Sequence, residues 1–259
     1  MGAFYSIFIS RLGFLSLLLS LVVSPFLQGW AGTFQVNPVQ LFLSARTKSA
    51  LLTVRNESAD TLRFQLSVHA WDQSPQGEVI LGPTEDVVFF PSLLSLAPGE
   101  ERRVRVGAVI PIASSEKSYR IFIEELPPLS KPKGSPGETQ VRLLTKMGIP
   151  IFLQPDQAAV EARIQGMGVQ KGVLSFQLKN AGNVHFVPQA IRVKGYGMSG
   201  EILFERSLEG WYMLADRHRI YDLNLLDKEC AKIKTLGVEV QMGQKTLRDQ
   251  IEMPPGACS

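Results

Sequence analysis

Three histidines, His69, His185 and His218, and two cysteines, Cys230 and Cys258, are the residues of this chain most able to do nucleophilic or metal chemistry. Their spacing supports neither. The histidines are isolated from one another, and no cluster of cysteines or carboxylates has the spacing of a metal site. The sequence holds no Gly-x-Ser-x-Gly elbow, no glycine-rich phosphate loop and no His-Glu-x-x-His. A triad built from distant residues leaves no local signature, and nothing here raises one above background. These observations point away from an enzyme, and imply no cofactor, no metal and no small-molecule substrate. His69 lies in an alternating segment and reads as a surface side chain. Asn56-Glu57-Ser58 fits a glycosylation acceptor but is read as turn chemistry.

The chemistry that the sequence does support is main-chain pairing, and its centre is residues 140–155, QVRLLTKMGIPIFLQP. Taken two at a time, one face carries Val141, Leu143, Thr145, Met147, Ile149, Ile151 and Leu153. That period is a strand's and not a helix's. The stretch is about twice the usual strand length of five or six residues. Pro150 has no N–H for a ladder, so its nitrogen is expected at a sheet edge or a bulge. A long apolar strand at an edge invites another chain to pair with it. Two readings stand at this point: the last core strand of a sandwich, or a strand lent to a partner.

The elements that would hold this strand follow from length and patterning. The chain has 259 residues, 45% hydrophobic and 20% charged, enough for two domains of ordinary size. Residues 1–31 read as a secretory signal peptide cut after Ala31: one charge, Arg11, then an apolar run over 12–23, Pro25, and the small residues Gly29 and Ala31. The run falls short of the roughly twenty residues of a membrane-spanning helix. Losing Arg11 takes the basic count from 27 to 26 against 24 acidic residues, a net charge of +2, which calls for no nucleic-acid partner. Arg102, Arg103 and Arg105 read as a solvated strand face. In an exported chain Cys230 and Cys258 are expected to form a disulfide that ties the tail to a segment 28 positions earlier.

Strands are expected over 34–43, interrupted at Pro38 by an edge or a change of partner, and over 50–55, 62–71, 79–81, 87–90, 102–109 and 119–123. Residues 129–139 have the composition of a loop. The second half repeats the class at 160–164, 173–178, 190–196, 202–204, 219–225, 236–240 and 246–251, with Asn180-Ala181-Gly182-Asn183 as a turn. The fold class is therefore all-β, with two immunoglobulin-like sandwich domains in tandem, 32–155 and 156–259, and a cleft between them.

Several stretches in this order resemble the periplasmic pilus (fimbrial) assembly chaperones of the chaperone-usher pathway. They are residues 36–43, 52–56, Trp71 at a strand end, Phe90-Pro91, 96–100 with Arg105, Tyr119-Arg120 leading to Glu125-Leu126-Pro127, and Ile149-Pro150-Ile151-Phe152. They span the first domain almost end to end. The second domain is similar mainly through residues 178–183.

The resemblance implies a non-catalytic function in the periplasm. Pilin-like subunits lack a last strand, the chaperone fills the gap, and an outer-membrane usher receives the loaded subunit. Carried onto this chain, the donated side chains are Val141, Leu143, Thr145 and Met147. Four such groups at ~1.5 to 3 kcal/mol each give a gross term of roughly 6 to 12 kcal/mol before ordering costs. Well-known members grip the subunit's terminal carboxylate with an arginine and a lysine at positions that look like Gln40 and Pro150 here. Neither is cationic, which together with the Ile-Pro-Ile-Phe ending suggests a divergent branch. Gln40, Arg120 and Lys146 are the candidate anchors. Self-association of the unloaded protein through its exposed strand is a further expectation. The alternative is a secreted two-domain structural or binding module without a pilin client.

Overall fold

The computed structural model describes residues 34–129 and 143–258. The leader expected over 1–31, Val141 and most of the loop expected over 129–139 lie outside the described residues. The architecture is all-β, two sandwiches in tandem with a cleft between them.

The first sandwich pairs β1 (Phe34–Asn37), β3 (Ser49–Asn56), β8 (Glu101–Ala108) and β6 (Val87–Phe90) in one sheet. The other sheet runs β2 (Leu41–Leu43), β10 (Lys146–Leu153), β9 (Lys117–Glu125), β4 (Leu62–Gln73), β5 (Val79–Gly82), with β7 (Leu93–Leu96) also on β4. Alternation dictates which residues meet: Phe64 and Leu66 of β4, Ile121 and Ile123 of β9, and Ile149 and Ile151 of β10 all face the core and are buried. Each such side chain contributes ~1.5 to 3 kcal/mol of burial. Pro38 marks a change of partner: β1 pairs antiparallel with β3, whereas β2 runs parallel to β10 in the opposite sheet.

The second sandwich has β11 (Ala162–Gln170), β12 (Val173–Asn180) and β15 (His218–Asn224) in one sheet, and β14 (Ile202–Leu208), β13 (Ala190–Tyr196), β16 (Thr235–Met242) and β17 (Lys245–Glu252) in the other. One short helix, α1 (Asp227–Cys230), precedes β16. Cys230 and Cys258 are bonded across 28 positions, as expected, and Ala257 beside them is buried. Closing a loop of that length stabilises by roughly 3 to 4 kcal/mol on the loop-entropy account.

Both sandwiches use a buried asparagine to make a turn. Asn180 Nδ2 donates to Val184 O at 2.8 Å and Met213 O at 2.9 Å, while its Oδ1 accepts from Gly182 N at 2.9 Å. Asn56 does the same with Asp60 O at 2.7 Å, Leu96 O at 2.9 Å and Ser58 N at 2.8 Å. Each side chain supplies the bonds that an unladdered, buried turn would otherwise lack.

Two expected details differ. Among the described residues of the strand expected over 140–155, β10 runs from Lys146 to Leu153, and residues 143–145 lie outside any strand. No strand is expected over 93–96, yet β7 forms there, with Leu94 and Leu96 buried in alternation and paired with β4.

Candidate functional site

The two edges of β10 are treated differently. One edge pairs with β9 along its whole length, Lys146 opposite Glu124 through Leu153 opposite Lys117. On the other edge β2 covers Ile151 to Leu153 and no more. Among the described residues, no strand pairs with that edge from Lys146 to Pro150. The cause lies in the β1–β2 switch, which carries the preceding residues to the other sheet. Pro150, which has no N–H to donate, sits within the uncovered stretch.

Upstream of this half-free strand, Leu143 is 85% exposed, with Leu144 and Thr145 also exposed. Glu125 N donates to Thr145 O at 2.9 Å, which ties the entry of β10 to the end of β9. Of the four expected donor residues, Met147 packs against the first core, Leu143 and Thr145 project beyond it, and Val141 is outside the described residues.

The candidate anchors separate into two places. Lys146 pairs with Glu124 at 2.8 Å and lies over the Phe122 ring at 5.1 Å. It is four residues from Pro150, about 13 Å along the strand. Gln40 and Arg120 come together in the cleft instead. Arg120 stands opposite Pro150 on one side and His69 on the other. Its guanidinium carbon is 4.0 Å from the centre of the Trp71 ring. Its Nε is buried without a hydrogen-bond partner, and no carboxylate pairs with it among the described residues. Burial pulls its pKa below the usual arginine range, and the Tyr212 phenol opposes that shift. Gln40 Nε2 donates to Tyr212 Oη across the cleft.

The seam around these groups is aromatic and tightly bonded. Trp71, Phe152 and Leu214 are buried together with Tyr212 packed on them, outside either sandwich core. Gln73 Nε2 donates to Tyr212 O at 2.5 Å, and Leu214 N donates to Gln73 Oε1 at 3.3 Å. Arg217 reaches Asp72 with two bonds, 2.5 and 2.9 Å, and this pairing holds the Asp72 carboxyl below its ordinary range. His185 stacks on Phe152 at 3.6 Å; its Nδ1 lies 2.7 Å from Glu116 Oε1, and its backbone N–H donates to the same oxygen at 3.0 Å. Asn183 Nδ2 donates to Ser114 O at 2.9 Å.

His185, Glu116, Tyr212 and Gln73 carry no sequence signal of this role, since each finds its partner 69 or more residues away. His69 is not a plain surface residue: it is half-buried, edge-on to Phe122 at 5.6 Å. Among the described residues no group of three or more His, Cys, Asp or Glu is placed to hold a metal ion.

No curated protein matches the chain in sequence. Residues 33–159 match the family model described as pili and flagellar-assembly chaperone, PapD N-terminal domain. Among solved structures, a chain of the CsuC–CsuE chaperone–tip adhesion subunit pre-assembly complex from the archaic chaperone-usher Csu pili of Acinetobacter baumannii is similar with a TM-score of 0.57 and 15% identity over 86% of this chain and 100% of that one. The class 5 fimbriae chaperone CfaA is similar with a TM-score of 0.56 and 15% identity over 85% and 99%. The SafA pilin–SafB chaperone complex of Salmonella enterica gives a TM-score of 0.54 and 15% identity over 85% and 97%. At these identities the likeness is one of fold, and the family match rests on the first sandwich, where the half-free strand and Arg120 lie. Over residues 33–159 the chain matches the pili and flagellar-assembly chaperone family.

Proposed function

We propose that this protein is a periplasmic chaperone that caps pilin-like subunits by strand donation and delivers them to an outer-membrane usher. The observation that carries the reading is β10, whose edge is uncovered from Lys146 to Pro150 among the described residues and whose approach exposes Leu143. An incomplete subunit pairs with that edge and takes Val141, Leu143 and Thr145 into its groove, while Met147 stays packed on the first core. Main-chain bonds provide sequence-tolerant affinity, and the side chains provide burial. Residues 1–31 act as the export signal, and the domains divide at 155–156.

The subunit's C-terminal carboxylate is held by Arg120, which replaces the cations missing at Gln40 and Pro150. Arg120 is half-buried with its Nε buried and unpartnered, and the β9–β10 register sets it opposite Pro150. Gln40 positions Tyr212 beside it. Lys146 is left to its ion pair with Glu124. Support for a subunit partner comes from the relatives, since CsuC is paired with a tip adhesion subunit and SafB with a pilin. For the usher, the outer face of the first sheet leaves Leu51, Val88 and Phe90 exposed, with Arg105 opposite both Leu51 and Phe90. An exposed apolar patch of this kind suits a docking surface.

The test is to purify the tagged mature protein from periplasm and compare wild type with Leu143→Glu. A small stoichiometric partner that disappears from a still-folded Leu143→Glu protein supports capping. A lone wild-type protein, from cells that are building surface fibres, would overturn it in favour of the secreted-module reading.

A further inference from the structure

We infer that β5 is a self-association edge, through which two copies of this protein join their sheets about a two-fold axis. β5 closes its sheet on the side away from β10, with β4 and β9 between them. Its three large side chains are apolar and open: Val79 is 41%, Ile80 50% and Leu81 42% exposed. The hairpin register determines which main-chain groups face out. Ser74 N donates to Glu78 O at 3.0 Å, so these two residues form a hydrogen-bonded pair, and alternation makes Asp72 with Ile80 and Ala70 with Gly82 the next two such pairs. The N–H and C=O groups of Val79 and Leu81 therefore point away from β4, and among the described residues nothing is hydrogen-bonded to them.

Charge and register select a second copy as the occupant. Residues 79–84 carry no charge, whereas every edge strand of the second sandwich does: Arg163 on β11, Asp222 on β15, Glu205 on β14 and Arg248 on β17. Such charges keep sheet edges apart, and β5 lacks them. In an antiparallel pair centred on Ile80, the outward groups of Val79 meet those of Leu81 in the other copy. The two Ile80 side chains then meet on the axis, at a non-hydrogen-bonded position where side chains approach most closely. Glu78 faces Gly82 in this register, so no like charges stand opposite each other. Asp72, which shares a face with Ile80, is already paired with Arg217. Four residues a side bury less than the roughly 1,200 Å² of a stable interface, so the dimer is weak, with a Kd on the order of 0.1 mM. Because β10 lies toward the opposite side of the same sheet, the uncovered stretch of β10 stays open in both copies.

The test is sedimentation velocity on the full mature protein from about 10 μM to about 1 mM, with a thermal melt of each variant. Wild type should pass from monomer to dimer across that range. Ile80→Lys and Ile80→Glu each bring like charges together on the axis and should weaken association at least about tenfold, while an equimolar mixture of the two should associate again. Leu143→Glu should dimerise as wild type does. A wild-type protein that stays monomeric overturns self-association at β5, and so does a dimer that survives both Ile80 variants. Loss of the dimer in Leu143→Glu would move the contact to β10 and overturn it as well, and a mixture that fails to associate overturns the two-fold register. Loss of subunit co-elution from a folded Ile80→Lys protein, with wild type monomeric, would give the edge to the client instead.

Discussion

Arg120 is the residue on which the cleft turns. A half-buried guanidinium whose Nε is buried and unpartnered, with no carboxylate paired to it among the described residues, is held at a loss in the free protein, compensated in part by the Trp71 face. Burial lowers its pKa, which is the same penalty seen from the proton's side. Arg120→Met keeps most of the stem and removes the charge, so the free variant should melt no lower than wild type. Subunit capture should fall at least tenfold, since hydrogen bonds to charged groups are worth about 1.5 to 3 kcal/mol. Co-elution together with a thermal melt checks both halves; a destabilised Arg120→Met would show that the arginine serves packing instead. Phe152 behaves in the opposite way. Fully buried and stacked on His185, it should lose about 3 to 5 kcal/mol on Phe152→Ala, read as a lower denaturation midpoint.

At the scale of the strand, β10 combines two environments in one element. Ile149 and Ile151 are core residues, whereas Leu143, of the same parity, is 85% exposed. Leu143→Glu should therefore leave the melting temperature within a degree or two while abolishing capture, and Ile149→Glu should unfold the first sandwich. Circular dichroism on both variants separates these outcomes, and equal destabilisation would mean that residue 143 is packed in solution. The tail of the second sandwich depends on its cross-link. Replacing Cys230 and Cys258 by serine should lower stability by roughly 3 to 4 kcal/mol, measured in urea, without changing the first sandwich.

For the whole molecule, the seam determines how the two sandwiches present the cleft. Gln73, Asn183 and the Glu116–His185 pair fasten it with bonds between distant segments. The Asp72–Arg217 pair adds a pH dependence of definite sign. Asp72 is held below its ordinary pKa by the Arg217 hydrogen bond, so its contribution is present above the unfolded value of about 3.9 and is lost as pH falls through the lower folded value. Both side chains are nearly half exposed, so the effect is small and salt-sensitive. Asp72→Asn should be slightly less stable than wild type at pH 7, and the gap should close below about pH 4; a gap that persists at pH 2 would assign the loss to something other than charge.

Local residue order was enough to read most of the strands. Alternation in 62–71 and 119–123, the interruption at Pro38 and the Asn180 turn are short-range consequences of side-chain periodicity and turn chemistry, and each has its counterpart in the structure. The disulfide was legible because the chain has two cysteines and no others. Where a strand begins was not legible in the same way. Residues 143–145 alternate as well as 146–153 do, but a ladder needs a neighbour, and β9 ends at Glu125 opposite the entry to β10. Gln40 and Arg120 could be singled out as polar residues on suitable strands, yet their partners Tyr212 and Trp71 could not. Gln40 and Tyr212 lie 172 positions apart and meet through the packing of one sandwich on the other. Hydrophobic burial is non-directional and leaves such pairings open until two folded surfaces dock, so the strand pattern belongs to the sequence and the cleft to the tertiary structure.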